Sequence, residues 1–263
     1  MTELSLIDML QAGVHFGHQE SRRHPKMDPF IFTTRGGVSI INLEKTKAAL
    51  AKAVSYVQDV AARGGTILFI GTKRQARDIV RATAESVGMP YINDRWIGGM
   101  FTNFQQVRQL GQKLGRLKEE RATGAWAKYT KKEQLSFENE ITRLEGLIGG
   151  VAHMEKLPDV LFIVDVKTEK TAIREGAAMN IPVVAVCDTN VNPTGIAYPI
   201  PANDDATKSI QLIANAVADA IREGKSHPVV VSAPVIDGPN SPAADPILAD
   251  MPAPIDPSEP IIA

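Results

Sequence analysis

Three apolar runs constrain this chain more than anything else in it: Ile67 to Ile70, the segment from Asp159 to Val166, and Ile181 to Cys187. A strand with no polar side must be covered on both faces, which is the situation of parallel strands lying under helices. Amphipathic stretches alternate with the runs. One, from Asp78 to Val87, stops at Gly88, and another, from Glu169 to Met179, leads into the third run. Short strands read at Pro90 to Ile92 and at Tyr198 to Ile200, and Asn203 or Asp204 caps a helix to about Glu223. This alternation with short connections predicts an α/β domain whose mostly parallel sheet is flanked by helices.

Before the first run, Ser5 and Asp8 frame a short amphipathic helix that ends near Gly13. A loop rich in His, Arg, Gly and Pro follows, with His15, His18 and His24 in it. Phe30 to Thr33 and Val38 to Ile41 flank Thr34-Arg35-Gly36-Gly37 and read as a hairpin. Asn42 caps a helix from Leu43 to about Arg63, with Leu50, Val54 and Val57 as its buried stripe, and Gly64-Gly65 closes it.

The alternation breaks between Phe104 and Gly150, where no strand reads. Val107, Leu110, Leu114 and Leu117 follow a heptad, as do Phe137, Ile141, Leu144 and Ile148. Thr123-Gly124 separates the two arms, and Thr130 with Glu133 forms a capping box for the second. We expect a coiled-coil antiparallel helical hairpin inserted at 104–150 into a flavodoxin- or Rossmann-like domain made of 1–103 and 151–225. Residues 226–263 change to Pro, Ala, Ile, Val and Asp without periodicity and read as a flexible, disordered acidic tail.

The net charge of -1 averages unlike regions. Residues 1–130 hold 19 Lys and Arg against 11 Asp and Glu, while 226–263 hold none of the former and five of the latter. A basic front half raises the odds of a polyanionic partner. The only cysteine, Cys187, ends an apolar run, so no disulfide framework exists and a reducing cytoplasm is the natural setting. No apolar run approaches the roughly 18 residues of a membrane span.

Gly71 and Thr72 end the first run, and Lys73, Arg74, Arg77 and Arg81 follow. Spacings of three and four place the arginines on one face of a helix, and a helix opening after a strand attracts anions. Neither GxxxxGKS/T nor GxGxxG is present, however, so no nucleotide motif survives. RNA phosphate, a small anion and plain solvent remain open for this face. Asp94-Arg95-Trp96-Ile97-Gly98-Gly99 is a second candidate: arginine and tryptophan in one loop can contact phosphate and stack on an unpaired base. A tryptophan buried as the loop's anchor is the competing reading. His15 and His18 with Asp188, Asp204 and Asp205 are candidate metal ligands, because Asp188 and Asp204 sit at the carboxyl side of the sheet. No GxSxG elbow or Ser/His/Asp constellation supports a hydrolase.

The blocks HFGHQ, MDPFIF, RGGVSIINLEKT, FIGTKRQAR, YINDRWIGGMFTNF, LPDVLFIVDV, IPVVAVCDTN and YPIPANDDATKSI, in register from about residue 4 to 225, resemble the bacterial S-two family of small ribosomal subunit proteins. The resemblance implies no catalysis and no small-molecule substrate. It implies a cytoplasmic, ribosome-bound protein that contacts 16S ribosomal RNA at the head–body junction. Neighbouring small-subunit proteins are implied as partners, among them the S-one protein that captures messenger RNA and that this family helps to dock. Carried onto matching positions, the RNA contacts are Arg22, Arg23, Lys26, Lys73, Arg74, Arg77, Arg95, Trp96, Thr102 and Asn103. No cofactor is implied as required. A metal, zinc, is implied near His18, Asp188 and Asp205. The competing function is an α/β nucleotide- or sugar-phosphate-binding protein or enzyme, against which the missing glycine loops argue.

Overall fold

The computed structural model describes residues 4–227, so the expected tail lies outside the described residues from position 228 onward. Ser5 accepts a hydrogen bond from the Ile7 amide and starts α1 (Leu6–Gln11). Three strands follow, β1 (Phe16–Gln19), β2 (Ile31–Arg35) and β3 (Val38–Ile41), in an antiparallel sheet ordered β1-β3-β2. The β2–β3 hairpin turns on Gly36 and Gly37 at φ 59° and 75°, where a side chain would be strained. Strand β1 corrects the expectation of a loop through this region. FGHQ has no apolar alternation to mark it, and it is extended where it pairs with β3, in an irregular register. Asn42 caps α2 (Leu43–Ala62) by accepting from the amides of Glu44 and Lys45.

The larger sheet is made of β4 (Ile67–Ile70), β5 (Tyr91–Ile92), β6 (Val160–Val164), β7 (Val183–Cys187) and β8 (Tyr198–Pro201). All its pairings are parallel, in the order β5-β4-β6-β7-β8. Counted from its own first strand the order is second, first, third, fourth, fifth, the flavodoxin-like winding, with its switch point between β4 and β6. The helices are α3 (Arg77–Ser86), α4 (Phe104–Ala122), α5 (Lys131–Ile148), α6 (Lys170–Ala178) and α7 (Thr207–Ser226). Alternate strand residues divide between two cores. Phe69, Phe162, Val164 and Val186 pack with α2, α3 and α7, while Ile70, Leu161, Ile163 and Cys187 pack with α6 and the roots of α4 and α5. Each such side chain contributes about 1.5–3 kcal/mol by leaving water. Burial pushes the Cys187 thiol up, away from the reactive thiolate. Among the described residues no helix is long and apolar enough to cross a membrane.

Between β5 and β6, α4 and α5 pack through Leu114, Leu117, Ile141 and Leu144, with Trp126 covering the cluster. Thr130 and Glu133 cap α5 reciprocally. Lys113–Glu140, Lys118–Glu145 and Arg121–Glu138, at 2.7, 2.6 and 3.1 Å, link the two helices. One backbone approach packs α4 on the turn after α5, and another packs that turn on β5. A Cβ on Gly111 would lie 2.6 Å from the Ala152 carbonyl oxygen, and one on Gly150 would lie 2.2 Å from that of Tyr91.

Two helix starts differ from expectation. Helix α3 begins at Arg77, so Arg74 lies in the turn before it rather than on a shared helical face with Arg77 and Arg81. Helix α7 begins at Thr207 without a side-chain cap. Asn203 instead accepts from the amides of Asp205 and Ala206 in the preceding turn, and the Asp204 carboxylate turns away to other partners.

Candidate functional site

The carboxyl ends of the parallel strands gather the polar side chains. Thr72 and Lys73 follow β4, Asp165 follows β6, Asp188 and Thr189 follow β7, and Asp204 and Asp205 follow β8. Residue Asp165 stands at φ 70°, a left-handed conformation that Asp tolerates better than most residues, and its carboxylate holds the amides of Lys167 and Thr168. The Lys73 ammonium lies 2.7 Å from Asp204, 2.6 Å from Asp205 and 3.6 Å from Asp165. Burial works against that ammonium, yet its bonds to Asp204 and Asp205 hold its pKa above the ordinary lysine value. The neighbouring Glu169 carboxylate is pushed up by burial, though it accepts from both the amide and the hydroxyl of Thr72.

From the other side β1 brings His18 in. Its Nδ1 is 3.1 Å from Asp188 and its Nε2 is 3.4 Å from Asp205. The His18 amide donates to Thr189 Oγ1, and Gly17 permits the approach: a Cβ there would meet Thr189 at 2.5 Å. The bond to Asp188 outweighs burial and raises the His18 pKa. Ligand atoms of His18, Asp188, Asp204 and Asp205 fall within 4.8 Å of one another. Among the described residues, Asp204 Oδ2 is buried without a hydrogen-bond partner. Burial, with Asp188 and Asp165 adding like charge, outweighs Lys73 and pushes the Asp204 carboxyl up to about 7. His15 does not join the cluster; its ring lies 4.0 Å from that of Phe16, and burial lowers its pKa.

At the opposite end of the edge, the loop after β5 wraps around one carboxylate. Glu175 of α6, only 8% exposed, accepts from Trp96 Nε1 at 3.1 Å and from the amides of Gly99, Phe101 and Thr102 at 2.8, 3.0 and 3.4 Å. Burial opposes the charge, but these donors hold its pKa below the usual carboxylate range. Phe101 anchors the loop in the core, with its ring 4.9 Å from Trp96. The Arg77 guanidinium bridges the Thr72 carbonyl and Asp94, tying the turn after β4 to this loop.

The candidate RNA contacts thus divide. Arg22, Lys26, Arg74, Arg77, Arg95, Thr102 and Asn103 are exposed. Lys26 donates to Thr194, and the half-buried Arg23 pairs with Asp28 at 2.8 Å. Lys73 and Trp96 are only partly exposed. Lys73 points inward because three carboxylates surround its ammonium, and Trp96 is held from behind by Glu175 and Phe101. Glu175 itself was missed, although a lone acid in the buried stripe Ala172, Glu175, Gly176 is a signal that could have found it. In strand order the exposed arginines and the carboxylate cluster fall on different strands, and the Arg22–Lys26 loop packs at the β7 end, where the His24 amide donates to the Thr189 carbonyl and Lys26 to Thr194. Arg95 and Arg74 mark the β5–β4 end, Asp188, Asp204 and Asp205 mark the β7–β8 end, and Lys73 stands at the boundary.

Comparison with known proteins places this geometry. The profile of a family described as "Ribosomal protein S2" matches residues 9–224. The "Small ribosomal subunit protein uS2" of Pseudoalteromonas atlantica is 48% identical over 233 residues, which cover 89% of this chain and 96% of that protein. The protein of the same name from Geotalea uraniireducens is 48% identical over 224 residues, covering 85% and 88%.

Proposed function

The chain belongs to the ribosomal protein S2 family of the small ribosomal subunit, whose members are structural proteins rather than enzymes, and from that premise we propose that it binds 16S ribosomal RNA at the head–body junction of the cytoplasmic ribosome through the β5–β4 end of its carboxyl edge. The observation that carries this reading is the convergence of exposed Arg74, Arg77, Arg95, Thr102 and Asn103 on the turn after β4, the start of α3 and the loop after β5, which Arg77 ties together. Cationic side chains supply affinity by releasing counterions from phosphate, and duplex RNA is recognised by its shape. Arg22, Arg23 and Lys26 extend the contact from the His-rich loop. Lys73 and Trp96 act behind the surface, holding it in shape.

The acidic end takes a divalent cation, zinc, on His18, Asp188 and Asp205. One imidazole with carboxylates is a donor set that zinc accepts, and the partnerless buried Asp204 oxygen marks a cluster short of positive charge. The ion would supply that charge and a coordination position for a partner. Strand β1, which carries His18, also exposes Phe16, and Phe32 is 73% exposed on β2; this antiparallel sheet is the part of the chain offered to the S-one protein. RNA binding itself requires no cofactor.

The test is to add the full chain, with Arg74, Arg77 and Arg95 each changed to Glu, to small subunits depleted of this protein, and to measure co-sedimentation across a salt series. Wild type should bind with an affinity that falls steeply with salt, by a log–log slope of about 0.9 per phosphate neutralised. The variant should stay in the supernatant. Normal incorporation of the variant would overturn the assignment.

A further inference from the structure

We propose that Glu175 is a positioning residue for RNA binding: its carboxylate fixes the loop after β5 in the shape that presents Arg95, Thr102 and Asn103 together. This rests on the reading that those three side chains contact RNA. All four hydrogen bonds to Glu175 come from N–H donors of the one loop, and they span Trp96 to Thr102. Bonds to an ionised acceptor are roughly twice as strong as neutral ones, so the loop is gathered around a point charge. The segment needs such a centre, because Gly98 is exposed and Gly99 stands at φ +88°, a sequence with little conformational preference of its own. Without the carboxylate, Met100 and Phe101 would still anchor the middle of the loop in the core. The flanking Arg95 and Thr102 would then sample many arrangements, and RNA would have to order them on binding. Glu175 touches no RNA itself, since it lies beneath the loop on α6.

A double-mutant cycle on the full chain separates this role from simple support of the fold. Affinity for small subunits depleted of this protein would be measured for wild type, Glu175→Gln, the triple variant Arg95→Ala, Thr102→Ala, Asn103→Ala, and the combination. Circular dichroism would confirm that each is folded at the assay temperature, with Glu175→Asp, which keeps the charge at a shorter reach, replacing Glu175→Gln if the latter unfolds. Glu175→Gln is expected to weaken binding about tenfold in the wild-type background and less than about twofold once the loop contacts are gone, a coupling of the size seen between groups that act through one another. An equal loss in both backgrounds would mean that Glu175 supports the fold only, which overturns the inference. An unchanged affinity for Glu175→Gln beside a weakened triple variant would also overturn it while leaving the RNA reading of the loop intact. A triple variant that binds like wild type would remove the RNA reading and this inference with it.

Discussion

Replacing Lys73 by methionine should destabilise the fold far more than the same change at its neighbour Arg74. The Lys73 side chain is 18% exposed, while its partners Asp204 and Asp165 are 1% and 8% exposed. Methionine keeps most of the aliphatic stem, so the loss is of charge rather than packing. Removing one partner from a buried ion pair leaves an uncompensated charge, at a cost of about 3–5 kcal/mol. For a folded region of this size each kcal/mol moves the midpoint by about 2–4 °C, so a drop of roughly 6–20 °C is expected. The exposed Arg74→Met should lie within about 0.5 kcal/mol of wild type. Because the folded pKa of Lys73 is raised, its stabilisation is fully present below the ordinary lysine value, roughly 10.4, and is lost only as pH rises through the folded value. Thermal melts near pH 8, with a chelator to exclude adventitious metal, therefore test the ionised pair. Adding Asp204→Asn to Lys73→Met should restore part of the loss, since the orphaned charge is removed as well. A loss below about 1 kcal/mol for Lys73→Met, or strict additivity of the two changes, would refute the idea that this ammonium neutralises the cluster.

Other outcomes follow from the same geometry. Gly150→Ala should cost about 1–3 kcal/mol by forcing Tyr91 and β5 aside, whereas Gly115→Ala, with nothing within 4 Å of the added carbon, should stabilise α4 by about 0.5–1 kcal/mol; urea titrations of both give the comparison. Leu144→Ala, at a fully buried position between α4 and α5, should cost about 2–5 kcal/mol and raise amide exchange in those two helices first. The Glu175 carboxylate has a depressed folded pKa, so its stabilisation is present above the ordinary value near 4.3 and is lost as pH falls through the folded value. Acid titration of Glu175→Gln should accordingly show a shallower fall in stability below about pH 4 than wild type.

Local signals carried much of the fold. The unbroken apolar runs became β4, β6 and β7 because any such run must be covered twice, and their alternate residues do fill two separate cores. Asn42 and the Thr130–Glu133 pair marked helix starts because a cap is a short-range bond between a side chain and nearby amides. What escaped was long-range. Strand β1 is extended where it pairs with β3, and nothing in FGHQ says so. Asp204 resembles a cap in sequence but finds Lys73, a residue 131 positions away, closer to hand. Lys73 and Arg74 are adjacent basic residues with the same sequence-level meaning, and only the turn after β4 decides that one faces carboxylates and the other solvent. The Trp96 loop offers two alternatives in sequence, and its centre, Glu175, lies more than seventy residues further on.

The exposed arginines of the carboxyl edge also have a kinetic meaning. Charge displaced to one part of a face experiences a torque in the field of a polyanion as well as an attraction. Under the RNA binding proposed above, Arg74, Arg77 and Arg95 are drawn forward, while Asp188 and Asp204 are buried beside His18 and Lys73 and add little repulsion. On that reading the arginines meet the RNA first, and fewer encounters end in a pose that must dissociate and try again. That preselection fades as the Debye length contracts with salt, so raising ionic strength should slow productive capture before it loosens the complex once formed.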